Sequence, residues 1–524
     1  MKTGTLGEAE SLDVSKYLYR NTIAGWFEMA ILFASGLIVP PLLLANLGKE
    51  GYGVWLLVGQ VTAYLPLLDL GVSSSVGRFV ARHNARKDYE GVSRVVSSSI
   101  FLFLVSSVFV VAATAALWPS FSMFFHLSQE YFNAGRWLIL LTGLGLAVDL
   151  PLRIGQGILQ GIHRFDLMYL LRALVAFLRF LFIVILFGWW GCRSLILLGV
   201  LSIAVTILGD GLMCGFVYRK SASVVSIKRT FIRLSNLREI WSLSLSTLVV
   251  TIAALLFNQG QVIGVGKIAG PRAVTLYALP VMLLTYGSMV IAYIIGAFKP
   301  LASHMQALDE TENLRKLNIA GVKISFVISL FIAVMAIVFG APFFRAWLHA
   351  SKDLSPDDFA VLSNVLAIMV IGFAIGAPQN VTSNMLSAVE RQWFVAVVSL
   401  AASLAGFGIG IILMLETTLG FYGMAIGWAA VFVIRGVFVL PVSACRHFKI
   451  KSLSYFQQAY LPPIMAAVVL IAAAYITRAI VDGTSIASLA LCMTCSAGVY
   501  AVAVYSFCLD RGQRMRLRSL VSRL

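Results

Sequence analysis

The chain has 524 residues, 60% of them hydrophobic and only 12% charged, with a mean hydropathy of +0.90. That much apolar surface cannot be covered in a soluble fold, which excludes a soluble enzyme, a disordered chain and a fibrous protein. The formal net charge of +17 would suit nucleic acid in a soluble protein, but in a membrane protein basic residues first report topology, and no nucleic-acid partner is expected.

The polar stretch from Met1 to Tyr19 carries no signal-peptide pattern. After it, apolar runs of about 20 residues recur, each able to cross a hydrocarbon layer ~30 Å thick. The first two predicted spans are 21–45 and 53–79. Glu28 lies on the face of the first that carries Arg20 and Ala24. Asp69 precedes Arg78 by nine residues, which places them on opposite faces of an unbroken helix. Spans three and four are 94–117 and 136–160, and the fourth carries Asp149, Arg153, Gln156 and Gln160 as one helical stripe. Span five, 166–188, adds Arg172 and Arg179 on one face, ~10 Å apart along the axis. Span six, 194–218, holds Asp210, and a basic connection over 219–239 follows.

Span seven, 240–265, has Asn258 and Gln261 on one face. Spans eight and nine are 275–298 and 318–341. Span ten, 359–388, carries a stripe of Asn380, Ser383 or Asn384, and Ser387, continued by Arg391. Spans eleven and twelve are 393–415 and 422–445, the latter with a lone Arg435. Spans thirteen and fourteen, 460–479 and 485–508, are an appended pair. Cys492 and Cys495 lie in the last of these without other ligands, as expected of helix packing rather than a metal or redox site.

The predicted fold is thus an all-α polytopic membrane protein of about fourteen transmembrane helices. It comprises an N-terminal lobe (1–218), a linker (219–239), a C-terminal lobe (240–450) and a C-terminal segment (451–524). Lys and Arg divide 28 to 8 between the two sides, which places both termini in the cytoplasm. No hydrophilic stretch is long enough for a soluble domain and no Walker A motif occurs, so this chain alone is not expected to be an ATP-driven pump.

The two lobes look like copies. Gly48-Lys-Glu-Gly-Tyr-Gly-Val-Trp55 opens span two and Gly270-Pro-Arg-Ala-Val-Thr-Leu-Tyr277 opens span eight, an offset of 222 residues. PLRIGQGILQGIHR (Pro151 to Arg164) in span four matches PQNVTSNMLSAVER (Pro378 to Arg391) in span ten, an offset of 227. Copies separated by six spans keep one orientation, so a pseudo-twofold axis would run along the membrane normal.

Charge within the bilayer is costly, so intramembrane ionisable residues default to cavity-facing roles. Arg153, Arg172 and Arg179 cluster in spans four and five, and a locally positive pocket is expected in the first lobe. The bland alternative is that Asp149 and Arg153 form an i,i+4 ion pair and that Arg172 and Arg179 snorkel. For Arg435 a water pocket or a phosphate headgroup would also serve. Glu28 is the foremost candidate for proton or Na⁺ coupling, with Asp69 and Asp149 behind it; the alternative for Glu28 is a protonated or arginine-paired structural role. A cation-rich, amide-lined cleft suits an anionic ligand, because guanidinium forks match phosphate oxygens while Gln and Asn match sugar hydroxyls. Prolines at 40–41, 66, 151, 280, 378 and 441 interrupt helical hydrogen bonding and permit bending.

Three patches resemble a known family. LGKEGYGVWLLVGQVTAYLPLLDLGVSSSVGRFVAR (Leu47 to Arg82), ILQGIHRFD (Ile158 to Asp166) and Gly266-Lys-Ile-Ala-Gly-Pro271 with Tyr277-Ala-Leu-Pro280 are similar to segments of bacterial polysaccharide-biosynthesis flippases. Those belong to the multidrug/oligosaccharidyl-lipid/polysaccharide exporter superfamily. The resemblance, over most of 15–450, implies two six-helix lobes in a V, a central cavity and alternating access. It implies an undecaprenyl-pyrophosphate-linked oligosaccharide as substrate, with the pyrophosphate on Arg153, Arg179 and Arg78, and no catalytic residue, metal or cofactor. Membrane lipids and a polysaccharide polymerase or glycosyltransferases are the other expected partners, and the bacterial inner membrane is the expected location. Many relatives have Asp where this chain has Gln261. A cation-coupled drug antiporter, a lipid II flippase and a non-transporting scaffold for polysaccharide assembly are the alternatives.

Overall fold

A computed structural model describes residues 14–69, 72–221, 227–231, 249, 251–296, 298–389, 391–481, 485–509 and 512–515. Most of the 219–239 connection and the last arginines of the chain lie outside the described residues. Among the described residues all regular structure is helical. Twelve helices are long and apolar enough to cross a membrane. Two of them, over Arg20–Leu68 and Thr251–Tyr293, have 49 and 43 residues, roughly 74 and 65 Å at 1.5 Å per residue, twice what a bilayer needs. Each is bent at a glycine in a left-handed conformation, Gly48 (φ 69°, ψ 176°) and Gly270 (φ 79°, ψ 176°). Only glycine adopts that backbone freely. Two helices that each cross twice bring the twelve to fourteen crossings, as the sequence leads one to expect.

The chain divides into two compact units, Met1–Leu255 with Gly270–Val274, and Leu256–Ala269 with Thr275–Leu524. In the first, α1 (Val14–Thr62) contains the bend at Gly48, and a 3-10 turn (Leu65–Asp69) leads to α2 (Val72–Ala85). Pro66 lies in that turn, so span two is broken there and the unbroken-helix geometry expected for Asp69 and Arg78 does not apply. The side chain of Asp69 lies outside those described. Then come α3 (Tyr89–Phe124), α4 (Gln129–Leu152), α5 (Ile154–Gly161), α6 (Phe165–Ile183) and α7 (Leu195–Ser221). One end of this unit collects the Gly48 bend and the turns after α3 and α6: Tyr131 donates from Oη to the Leu47 carbonyl (3.0 Å), Ser128 N–H to Glu50 Oε1 (3.0 Å) and Asn46 Nδ2 to the Phe187 carbonyl (3.0 Å). The other end collects the start of α1 and the turn before α6, joined by Arg20 on Asp166 at 2.7 Å.

In the second unit a π-helical turn (Leu256–Gly260) leads into α8 (Gln261–Gly296), bent at Gly270, then α9 (Phe298–Ala307), α10 (Thr311–Trp347) and α11 (Pro356–Gly376). A 3-10 turn at Ala377–Gln379 joins α11 to α12 (Asn380–Ala388). α13 (Gln392–Glu416) and α14 (Tyr422–Ile434) follow, and a π-turn over Arg435–Val439 continues α14 into α15 (Leu440–His447). A short α16 (Ser452–Ala459) precedes the appended pair, α17 (Leu461–Ile480) and α18 (Ile486–Phe507).

The duplication is visible in the backbone. Pro151 cannot bond the carbonyl four residues back, at Ala147, and Ser107 Oγ of α3 donates to it instead (2.7 Å). Pro378 frees the Ala374 carbonyl in the same way, and Ser329 Oγ of α10 donates to that (2.9 Å). The serines stand 222 apart and the prolines 227, the two offsets found in the sequence. The turn in which Arg164 N–H reaches the Leu159 carbonyl recurs as Arg391 N–H to the Leu386 carbonyl.

Candidate functional site

The stripe on span four crosses the proline break. Asp149 ends α4, Arg153 sits at the break, and Gln156 and Gln160 lie on α5. Gly155 lets α7 come close: a Cβ there would meet the Cys214 backbone at 2.9 Å. That approach brings Gln156 Nε2 to Asp210 Oδ1 of α7 at 2.9 Å. Arg153 Nε binds Asp149 Oδ2 at 2.9 Å, and the Asp149 and Asp210 carboxyl groups meet. From α6, Arg179 donates to the Thr206 hydroxyl of α7, with Asp149 and Asp210 in its electrostatic surroundings.

The outcome corrects one expectation. Two guanidinium and two carboxyl groups make a charge-balanced network where a locally positive pocket was expected. The helical period shows the Asp149–Arg153 pair but not the contribution of α7, because Asp210 and Thr206 join through packing across more than twenty residues of sequence. Asp210 was visible as a carboxylate inside an apolar run, and Gly155 was the other available sign.

Arg172 binds Glu28 through Nε at 3.1 Å, with Glu28 buried, so the arginine-paired reading of Glu28 describes the geometry. Gln160 Nε2 rests on Met168 Sδ at 3.5 Å, and Arg78 is exposed on α2. Gln261 is buried: it accepts from Tyr277 Oη at 2.6 Å and donates to the Phe257 and Asn258 carbonyls. Its donors go to carbonyls within the second unit, and Tyr277, which takes its acceptor, carries no periodicity that would have shown it. Asn258 is exposed, whereas Asn380 and Asn384 are half-buried on α12 with no side-chain hydrogen bond among the described residues. No group of three or more His, Cys, Asp or Glu side chains that could hold a metal ion occurs among the described residues.

Two lobes on one duplicated plan, built from helices long and apolar enough to cross a membrane and carrying charged groups within them, define a multi-pass membrane protein. The profile of the family described as "Polysaccharide biosynthesis protein" matches residues 24–306, more than half the chain, and the chain belongs to that family. No curated protein sequence matches it significantly. Among solved structures, it is similar to an inward-facing multidrug resistance MATE family transporter of the MOP superfamily (17% identity, TM-score 0.64, 81% of this chain and 96% of that one). An outward-facing MATE family transporter gives 18%, 0.60, 83% and 96%. A MOP superfamily transporter from Pyrococcus furiosus, described as having a binding pocket of reverse polarity, gives 18%, 0.61, 84% and 96%. At these identities the likeness establishes the fold.

Proposed function

We propose that the protein is a flippase that moves an undecaprenyl-diphosphate-linked oligosaccharide across the bacterial inner membrane by alternating access, for surface polysaccharide or O-antigen assembly. Both termini would lie in the cytoplasm, and a polymerase or glycosyltransferases would act beside it. The observation that carries the reading, together with the family, is the state of two arginines at mid-membrane depth. Arg153 spends one of its five N–H donors, on Asp149, and Arg179 one, on Thr206. Phosphate oxygens can take the rest without displacing either aspartate, and charge-assisted contacts of this kind are strong where water is scarce. The Asp149–Asp210 pair is where a coupling proton would be taken up. Inward- and outward-facing forms of proteins with this fold support the alternating step.

The test is reconstitution of the full chain in vesicles with undecaprenyl-diphosphate-linked N-acetylglucosamine. Wild type should expose the sugar on the opposite leaflet, and Arg153→Gln with Arg179→Gln should abolish this while the protein stays folded. The acidic pair also suits a cation-coupled drug antiporter: pH-driven dye movement without lipid translocation would install that reading in place of the flippase.

A further inference from the structure

A buried guanidinium with no carboxylate beside it among the described residues lies in the other lobe. Arg435 stands thirteen residues after Tyr422 and twelve before His447 in one continuous apolar span, roughly 18–20 Å from either end. A guanidinium reaches only a fraction of that distance, so snorkelling to a bulk headgroup is excluded. Two arginines within the first unit's spans have a carboxylate in ion-pair contact, Arg153 with Asp149 and Arg172 with Glu28, and Arg179 lies in the field of Asp149 and Asp210. Arg435 has none among the described residues. It donates through one terminal nitrogen to Ser383 Oγ of α12 (3.2 Å), and its Nε is buried with no acceptor.

Its surroundings are rich in donors. Asn380 and Asn384 flank Ser383 with unused amides. A π-turn starts at Arg435 itself, and such local widenings of a helix often mark ligand contacts. The position repeats a position of the first lobe with the sign reversed. Ser383 stands 227 residues after Gln156 and Arg435 stands 225 after Asp210; Gln156 donates to Asp210 in the first lobe and Arg435 donates to Ser383 in the second, between equivalent helices. The acid of the first lobe is thus a base in the second, on the same scaffold.

We propose that Arg435, with Ser383, Asn380 and Asn384, forms a phosphate-binding site in the second lobe, occupied by the diphosphate of the polyprenyl carrier. The identity of the anion rests on the flippase reading; the existence of an anion site rests on Arg435 alone. Calorimetric titration of the detergent-solubilised full chain with farnesyl diphosphate, farnesol and phosphatidylglycerol tests it. Farnesyl diphosphate should bind and farnesol should not. Arg435→Gln should weaken binding by roughly tenfold or more, and Arg435→Lys should keep part of it. Arg435→Gln should melt no lower than wild type, because a charge without a counterion is being removed; a lower melting temperature in both variants with unchanged binding would make Arg435 a packing residue. Unchanged binding in Arg435→Gln overturns the site, as does displacement of farnesyl diphosphate by an equal concentration of phosphatidylglycerol, which would make a bulk lipid the occupant. If Arg435→Gln abolishes binding and the vesicles still translocate lipid-linked sugar, the site stands and its part in transport falls. If translocation fails while binding persists, the site falls and the flippase reading survives.

Discussion

At the scale of single residues, the first lobe places two acids and two bases where any one alone would be costly. Asp149 is 2% exposed, so loss of Arg153 leaves a buried carboxylate without its ion-pair partner and beside a second carboxylate. Arg153→Gln should therefore cost about 1–3 kcal/mol, the usual penalty for stranding a buried polar group. Adding Asp149→Asn should recover most of it, since the double change removes both charges. Melting of the purified single and double variants checks this; a double variant that sums the two single losses would mean the residues act independently. The i,i+4 spacing made this pair legible in the sequence. Glu28 with Arg172 and Gln156 with Asp210 were not legible as pairs, because a sequence orders residues along an axis and leaves open which helix comes beside it. The Gln261–Tyr277 bond is illegible for a related reason: an amide facing a ligand and an amide bonded to a buried tyrosine follow the same periodicity.

At the scale of elements, each lobe bends a membrane helix at a proline and repairs the break from a neighbouring helix. The bend could be read from Pro151 and Pro378, but the repair could not, since Ser107 and Ser329 look like any small polar residue of a membrane helix. Their register gives the function away: both reach the carbonyl four residues before the proline. Ser107→Ala and Ser329→Ala should each destabilise the protein by about 1–3 kcal/mol, the cost of a carbonyl left unpaired where water is scarce. Ser107→Ala combined with Pro151→Ala should be milder than Ser107→Ala alone, because the alanine N–H can serve the Ala147 carbonyl. Thermal unfolding of the four proteins measures the interaction, and strict additivity would refute the repair. The break of span two near Pro66 was underestimated, since the surrounding apolar run is long enough to hide a turn and restart.

At the scale of the whole molecule, the two glycine bends, the two proline breaks and the appended pair all follow from one duplication plus an addition. The pair is fastened to α10 at separate points: Lys323 Nζ donates to the Cys508 carbonyl (2.9 Å), Arg478 to the Val338 carbonyl (2.5 Å) and Tyr500 Oη to the Val327 carbonyl (2.9 Å). Orientation is the property of the whole chain that the basic residues decide. Arg82, Arg86 and Lys87 lie in or just after α2, on the connection that precedes α3, whereas Lys49 lies beside the Gly48 bend inside α1. Positively charged loops are retained in the cytoplasm during insertion, so the Gly48 bend should face outward and the α2–α3 turn inward. In a variant whose six native cysteines are replaced, Lys49→Cys should react with a membrane-impermeant maleimide on intact spheroplasts, and Lys87→Cys only after the membrane is opened. The reverse pattern would invert every side assigned above. A cargo captured from the cytoplasmic leaflet would then have to be captured from the outer one, so labelling of these two positions constrains the direction of transport before any substrate is in hand.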